Sequence, residues 1–325
     1  CRSRPSDLDS RVWDVTVDTP PMGQCNELEN DAVGCHAATD VSTRCRRPPA
    51  KPSVVASLRI AAGTDSGASA RRALLGPEAF AVVMEPLIGK RVGYVRPAGH
   101  VGDALIELAT MQLFDTFGIR WRLQDVGDPA EVDVLAFGGG GSMGRRSVDN
   151  YSLRTQALSI GLPLVILPQS FADREYRRFA RVFVRERASL DLRPDGVLAP
   201  DLSLGLAWPE PGPPVHDLGI LMRRDHERVG RRLQLARDPE ALCKTPAETL
   251  ALAARYRRIV TDRLHFAIAG LHAGRDVTLL PNNYHKNRSM HETWLANLGC
   301  HFAESVEAAL LRHAAQARHG RRAAA

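Results

Sequence analysis

Arg263, His265, His285 and Lys286 fall within one run, Arg257 to Asn287, RRIVTDRLHFAIAGLHAGRDVTLLPNNYHKN. The run reads as a short strand, a tight turn carrying Thr261, Asp262, Arg263 and His265, an apolar helix, a second strand, and a loop holding His285 and Lys286. In an open α/β sheet, strand carboxyl ends and helix N-termini point into a common crevice. Cationic and titratable side chains gathered there imply a cationic crevice, an anionic ligand and proton transfer. Thr261 or Asp262 can cap the helix, leaving first-turn amides and the positive helix end beside the anion. Arg263 and His265 are two positions apart and share no helical face; they converge if one projects from the pre-helical turn. His265 is the first choice for a proton donor because an imidazole titrates near neutral pH. His272, at the far end of the helix, reads as a C-terminal dipole partner. The NNYHKNR loop is equally well an ordinary polar loop, but Lys286 is one of only four lysines, with Lys51, Lys90 and Lys244.

Four upstream segments offer further chemistry. GHVGDAL, Gly99 to Leu105, lies between a strand and a helix. Gly99 and Gly102 permit a tight turn and close approach of a ligand, His100 is a pocket candidate, and Asp103 can cap the helix or accept from a sugar hydroxyl. The three-glycine dinucleotide spacing and the Lys-Ser/Thr of a phosphate loop are both absent, and a plain structural turn stays open. FGGGGSM, Phe137 to Met143, follows a strand; the N–H groups around Gly139 and Gly140 can cradle phosphate or carboxylate, or the segment is a flexible loop. LPQSFAD places Gln169 and Ser170 after a buried strand, where substrate polar groups are met. Arg185, at the end of another strand, can pair bidentately with an anion or simply pack against Glu186.

These residues need a frame of alternating strands and helices. From Arg91 onward the chain supplies strands at RVGYVRP, Arg120–Leu123, Val132–Phe137, the continuous apolar run Leu162–Pro168, Val182–Arg185 and Gly196–Ala199. A helix with Leu105, Ala109 and Leu113 on one face, a second at Tyr151–Ile160, a third at Arg174–Phe179 and a short one from Arg187 separate them. The apolar run suits a parallel strand covered on both faces. WPEPGPPV, Trp208 to Val215, has four prolines and reads as a linker. Beyond it come strands Asp217–Met222, Ile259–Val260 and Asp276–Leu280 with helices Pro246–Tyr256, Arg263–Ala273, Ser289–Leu298 and Ser305–Ala317. The expectation is an α/β protein of two Rossmann-like units with an irregular N-terminal extension. The divisions are an extended segment 1–85, a first unit 86–207, a linker 208–216 and a second unit 217–325.

The chain has 325 residues, 44% of them hydrophobic and 25% charged, as in an ordinary globular protein. Its net charge of +6 favours anionic partners in general, while zinc-finger spacing, aromatic-flanked basic patches and basic zipper regions are absent, so nucleic acid is not expected. Cys25, Cys35 and Cys45 recur every ten residues without the partners of a four-ligand zinc site, and no metal is expected. No apolar run approaches the roughly 20 residues of a membrane helix.

In order along the chain, G-x-x-G-D at Gly99–Asp103, FGGGG at Phe137–Gly141, LPQS at Leu167–Ser170, R-E-x-x-S at Arg185–Ser189, P-D-L-S-L at Pro200–Leu204, V-T-D-R-L-H at Val260–His265 and Y-H-K at Tyr284–Lys286 resemble the polysaccharide pyruvyl transferase family. The resemblance covers about Arg91 to Leu298. It implies a two-domain GT-B arrangement and transfer of a pyruvyl group from phosphoenolpyruvate, as co-substrate and without a further cofactor, to sugar hydroxyls as a ketal. It implies a donor site around Arg263, His265 and Lys286, to which Arg185, His285, Gly139 and Gly140 are added. His265 and Asp103 are the expected acid and base; His100, Gln169 and Ser170 are the expected acceptor contacts. His100 stands where the family often has asparagine, and the segment between Met222 and Tyr256 is short. The partner expected is a glycan or lipid-linked oligosaccharide, at the cytoplasmic side, with peripheral membrane association compatible with the basic balance. A nucleotide-sugar glycosyltransferase and an inactive carbohydrate-binding protein remain as other readings.

Overall fold

The computed structural model of the chain describes residues 72–128, 131–145, 147–230, 233 and 236–323. Sequence readings on residues 1–71 lie outside them. The first sheet contains β1 (Arg91–Val95), β2 (Arg120–Leu123), β3 (Val134–Phe137), β4 (Gly140–Met143), β5 (Leu164–Phe171), β6 (Arg181–Val184) and β7 (Val197–Leu198). Its order is β2-β1-β3-β5-β6-β7, with β4 also paired to β5, and every pairing is parallel. The chain leaves β1 toward β2 on one side and continues through β3 on the other, so the order reverses between β1 and β3. Ligands bind outside the carboxyl ends of strands at such a point. All eight residues of β5 are buried, as its apolar run demands of a strand covered on both faces.

The second sheet, β8 (His216–Leu221), β9 (Tyr256–Thr261), β10 (Asp276–Leu279) and β11 (His301–Phe302), has the order β11-β10-β9-β8 and is also parallel. The principal helices are α1 (Val101–Thr116), α2 (Val148–Ser159), α3 (Pro246–Ala254), α4 (Leu264–His272), α5 (Lys286–Met290) and α6 (Val306–Ala323). Pro246 opens α3 behind a Thr245–Glu248 capping box. Gly270 lets α4 lie close on its sheet, since a Cβ there would stand 2.8 Å from Val277 and 2.9 Å from Ile259. The two Rossmann-like parallel sheets bear out the α/β expectation. They share one hydrophobic core, in which Leu105, Ala109 and Leu113 of α1 meet Leu250 of α3, Ala267 and Leu271 of α4, and Leu202 and Leu206 between the sheets.

Three local readings change. Residues 77–87, expected to be irregular up to residue 85, form three short helical turns that bury Phe80, Val83, Met84 and Leu87 completely. The expected helix at 174–179 is absent: Arg193 Nη1 donates to the carbonyls of Glu175 and Arg177 at 2.6 and 2.9 Å, replacing helical amides. The glycine run is not a free loop, because β3 and β4 follow one another along the same partner, β5. A side chain on Gly138 would collide with Tyr94, and one on Gly139 would meet the Pro168 carbonyl at 3.0 Å. The proline-rich joint is tied down where it starts: Ala207 N–H donates to Gln112 Oε1 at 2.8 Å, and Trp208 bridges Arg72.

Candidate active site

Two helix N-termini, one from each sheet, face each other across a cleft of about 500 Å³. Helix α1 starts just after β1 and α4 just after β9. Among the described residues, no acceptor takes the N–H groups of Leu264, His265 or Phe266, and the N-cap Arg263 makes no side-chain cap. Uncapped donors and the positive end of the peptide dipoles attract an anion. At α1 the Asp103 carboxylate accepts the His100 N–H at 2.9 Å. The two ends approach so closely that a Cβ on Gly102 would lie 2.7 Å from His265 Nδ1.

His265 turns its other nitrogen inward. Nε2 lies 3.4 Å from Asp201 Oδ2 and 3.3 Å from Arg185 Nη1. Asp201 is fully buried and receives Arg185 Nη1 at 2.7 Å and the Ser203 N–H at 2.9 Å, along with the Ser203 hydroxyl. Burial alone would raise its pKa; the contact with His265, the Arg185 charge and the Ser203 hydroxyl outweigh that and hold it well below the carboxylate range. Arg185, also buried, donates through Nε to Ser170 Oγ at 2.7 Å, and Ser170 donates to Glu186 Oε2 at 2.7 Å. Arg185 Nη2 is left facing the cleft floor, where a Cβ on Gly141 would stand 3.0 Å away.

The cleft is not the reservoir of free positive charge expected from Arg263 and Lys286. Arg263 is bound at once by Asp238 (2.6 Å), Asp225 (2.8 Å) and Glu240 (2.8 Å). Lys286 Nζ donates to Glu227 Oε2 at 2.7 Å, which Arg223 also engages. Burial pushes the Glu227 pKa up, but the charges of Lys286 and Arg223 prevail and hold it at about 2. Arg263, Lys286, Arg223 and Arg185 are therefore each matched by carboxylate. The cleft's pull on an anion comes from the uncapped end of α4 and from Arg185 Nη2, since the α1 end already carries the Asp103 carboxylate.

The remaining candidates divide. His265, Asp103, Arg263, Lys286, Arg185, Gly139 and His100 line the cleft together. His100 is the most exposed of them, its Nδ1 3.7 Å from Glu240 Oε2. Gln169, Ser170, Gly140 and His285 do not line it. Gln169 is buried, its amide donating to Gly138 O and its oxygen accepting the Ser142 N–H at 3.1 Å, so it braces the glycine strand instead of meeting an acceptor. Ser170 is used up between Arg185 and Glu186. Gly140 adopts φ 146° where β4 pairs with Gln169. His285 turns Nε2 toward Glu186 Oε1, 3.4 Å away behind the floor. His272, read as a dipole partner, meets the Ser203 carbonyl at 2.8 Å, and burial lowers its pKa.

Residue-type reasoning passed over Asp201, Tyr284 and the carboxylates Asp225, Glu227, Asp238 and Glu240. Asp201 was visible only as a letter of the P-D-L-S-L element. Tyr284 lines the cleft beside Lys286, whose Nζ sits 5.1 Å from its ring centre, and burial raises its phenol pKa. Asp262, next to Arg263, is buried with Oδ1 accepting the Arg223 N–H at 2.7 Å and Oδ2 unpartnered; burial lifts its pKa to about 6.

Among solved structures, a functionally uncharacterized protein of Klebsiella pneumoniae subsp. pneumoniae NTUH-K2044 is 21% identical over 70% of this chain and 97% of its own, with a TM-score of 0.58, and shares the fold. The kitacinnamycin glycotransferase is 11% identical over 66% of this chain and 86% of its own, at a TM-score of 0.31, too low to bear on the fold. No curated protein matches the chain in sequence. No helix among the described residues is long and apolar enough to cross a membrane. A family model described as polysaccharide pyruvyl transferase matches residues 94–284, more than half of the chain, and the chain therefore belongs to this family of transferases.

Proposed function

We propose that the cleft transfers a pyruvyl group from phosphoenolpyruvate to hydroxyls of a sugar in a polysaccharide or glycan precursor, forming a pyruvate ketal and releasing phosphate. The observation behind this reading is the meeting of two helix N-termini around His265 Nδ1, with Arg185 Nη2 at the floor. A small donor bearing carboxylate and phosphate suits uncapped amides and a guanidinium edge. His265 Nδ1 gives its proton to the donor's methylene carbon, and positive character develops at the adjacent carbon. A sugar hydroxyl attacks that carbon and gives up its proton to Asp103, the base. A second hydroxyl of the acceptor displaces phosphate, breaking the carbon–oxygen bond to phosphorus. One hydroxyl proton restores His265 and the other leaves with phosphate. Glycan assembly for the cell envelope or an exopolysaccharide, at the cytoplasmic side, is the setting this chemistry suits.

The test is phosphate release from phosphoenolpyruvate with and without a panel of saccharides, with the ketal followed as a mass gain on the acceptor. Acceptor-dependent release, lost in folded His265→Gln, is the expected result. No release with any acceptor, or normal turnover by the variant, sinks the reading.

A further inference from the structure

Asp201 reaches His265 from the other sheet, and nothing in the reading of the cleft gives it a task. A buried carboxylate is costly unless its lone pairs are taken. Oδ1 is taken by the N–H and hydroxyl of Ser203; Oδ2 receives Arg185 Nη1 at 2.7 Å and has one direction left, toward His265 Nε2 at 3.4 Å. The ring is held from both sides. Gly102 closes on the edge carrying Nδ1, and Nδ1 makes no hydrogen bond among the described residues. Arg185 Nη1, at 3.3 Å from Nε2, competes for the same nitrogen. A neutral ring must therefore choose: Nε2 carries the proton and donates to Asp201, or Nε2 is bare and accepts from Arg185.

We propose that Asp201 is a positioning residue that holds the proton of neutral His265 on Nε2, leaving Nδ1 as the working nitrogen in the cleft. Two considerations favour it over the reverse. A bare Nε2 would set its lone pair against an ionised carboxylate oxygen. Arg185 already spends its short bond on that oxygen, whereas a second oriented partner is what fixes an imidazole's tautomer. When Nδ1 takes a proton, Asp201 faces the resulting imidazolium directly through Nε2, and Nδ1 is the ring nitrogen left without a hydrogen bond among the described residues. The assignment of Nδ1 as the proton donor rests on the pyruvyl transfer reading; the tautomer does not.

The experiment is ¹⁵N NMR of ligand-free protein labelled at histidine, with the His265 signals assigned by their loss in His265→Gln. At alkaline pH, where imidazoles are neutral, a pyrrole-like Nε2 and a pyridine-like Nδ1 are expected. The opposite pattern overturns the proposal and gives Nε2 to Arg185. In Asp201→Asn the two tautomers are expected to mix, and kcat to fall about tenfold or more with donor KM little changed; an unaltered tautomer in a folded variant also overturns it. Should Asp201→Asn fail to fold, the wild-type pattern still decides. Wild-type protein with the expected tautomer but no phosphate release would leave the dyad standing and remove the pyruvyl transfer reading.

Discussion

His265 and Gly102 are joined by a steric relationship that crosses the cleft: the glycine leaves the space that the imidazole's Nδ1 edge fills, with 2.7 Å between that nitrogen and the nearest possible Cβ. Behind the ring stand Asp201 and Arg185, so any displacement of the histidine disturbs its contacts with both. Gly102→Ala adds a methyl group in the first turn of α1, where alanine favours the helix by less than the about 1 kcal/mol of a helix interior. Thermal stability is therefore expected to change little, while the ring is pushed off its mark and kcat falls about 100-fold. Calorimetry paired with steady-state kinetics checks this; a stable, fully active variant would show that the ring has room to move.

Lys286 is paired with Glu227, so on the pyruvyl transfer reading a donor that used Lys286 would compete with that carboxylate. Glu227→Gln is expected to lower donor KM about fivefold, the equivalent of roughly 1 kcal/mol. The same pair affects acid stability. With a folded pKa near 2 against an ordinary 4.5, Glu227 contributes stability above about 4.5 that is lost as pH falls toward 2. Denaturant melts of both proteins across that range should converge at the acid end. A KM that rises in the variant would mean that Glu227 orders Lys286 for the donor.

Asp262 works in the opposite sense. Its pKa is raised to about 6 by burial, against an ordinary 3.8, so the folded state binds the proton more tightly than the unfolded chain. Stability must then fall as pH rises from about 4 to 6, by an amount on the order of 2–3 kcal/mol. Asp262→Asn should remove this fall and be the more stable protein at neutral pH. Urea melts at acid and neutral pH measure it directly, and identical slopes in the two proteins would refute it.

Arg185 offsets two buried acids, Asp201 and Glu186. Arg185→Met leaves both without their cation, and loss of one partner of a buried pair costs about 3–5 kcal/mol. At about 2–4 °C per kcal/mol for a domain of this size, Tm should drop by at least about 6 °C. A smaller drop would place water, or a proton on one of the acids, in the guanidinium's stead.

Much of this was legible in the residues. The apolar run of β5 and the 3.6-residue pattern of α1 are local signals, and the motifs at Gly99–Asp103 and Val260–His265 sit just past strands because that is where a parallel sheet frees its chain for binding. The glycine run could not be recognised as a strand, since parallel pairing with β5, Gly140 with Gln169 and Met143 with Phe171, is a contact between distant parts of the chain with no turn to announce it. The same holds for charge. Asp225, Glu227, Asp238 and Glu240 occupy a segment without periodicity, and only the fold reveals that they encircle Arg263 and Lys286. Gln169 looked like an acceptor contact because it follows a buried strand; the strand continues through it.

The residues flanking Arg185 are stitched to the second sheet's side of the molecule. Trp294 Nε1 donates to the Arg185 carbonyl at 2.6 Å, Ser289 Oγ takes the Ala188 N–H at 3.1 Å, and Thr293 Oγ1 takes that of Arg187 at 3.3 Å. Hinge-bending about the proline joint would have to tear all three, together with the shared apolar packing. Ligands should therefore exchange through side-chain rearrangement at the mouth, and both sheets should melt in a single cooperative step.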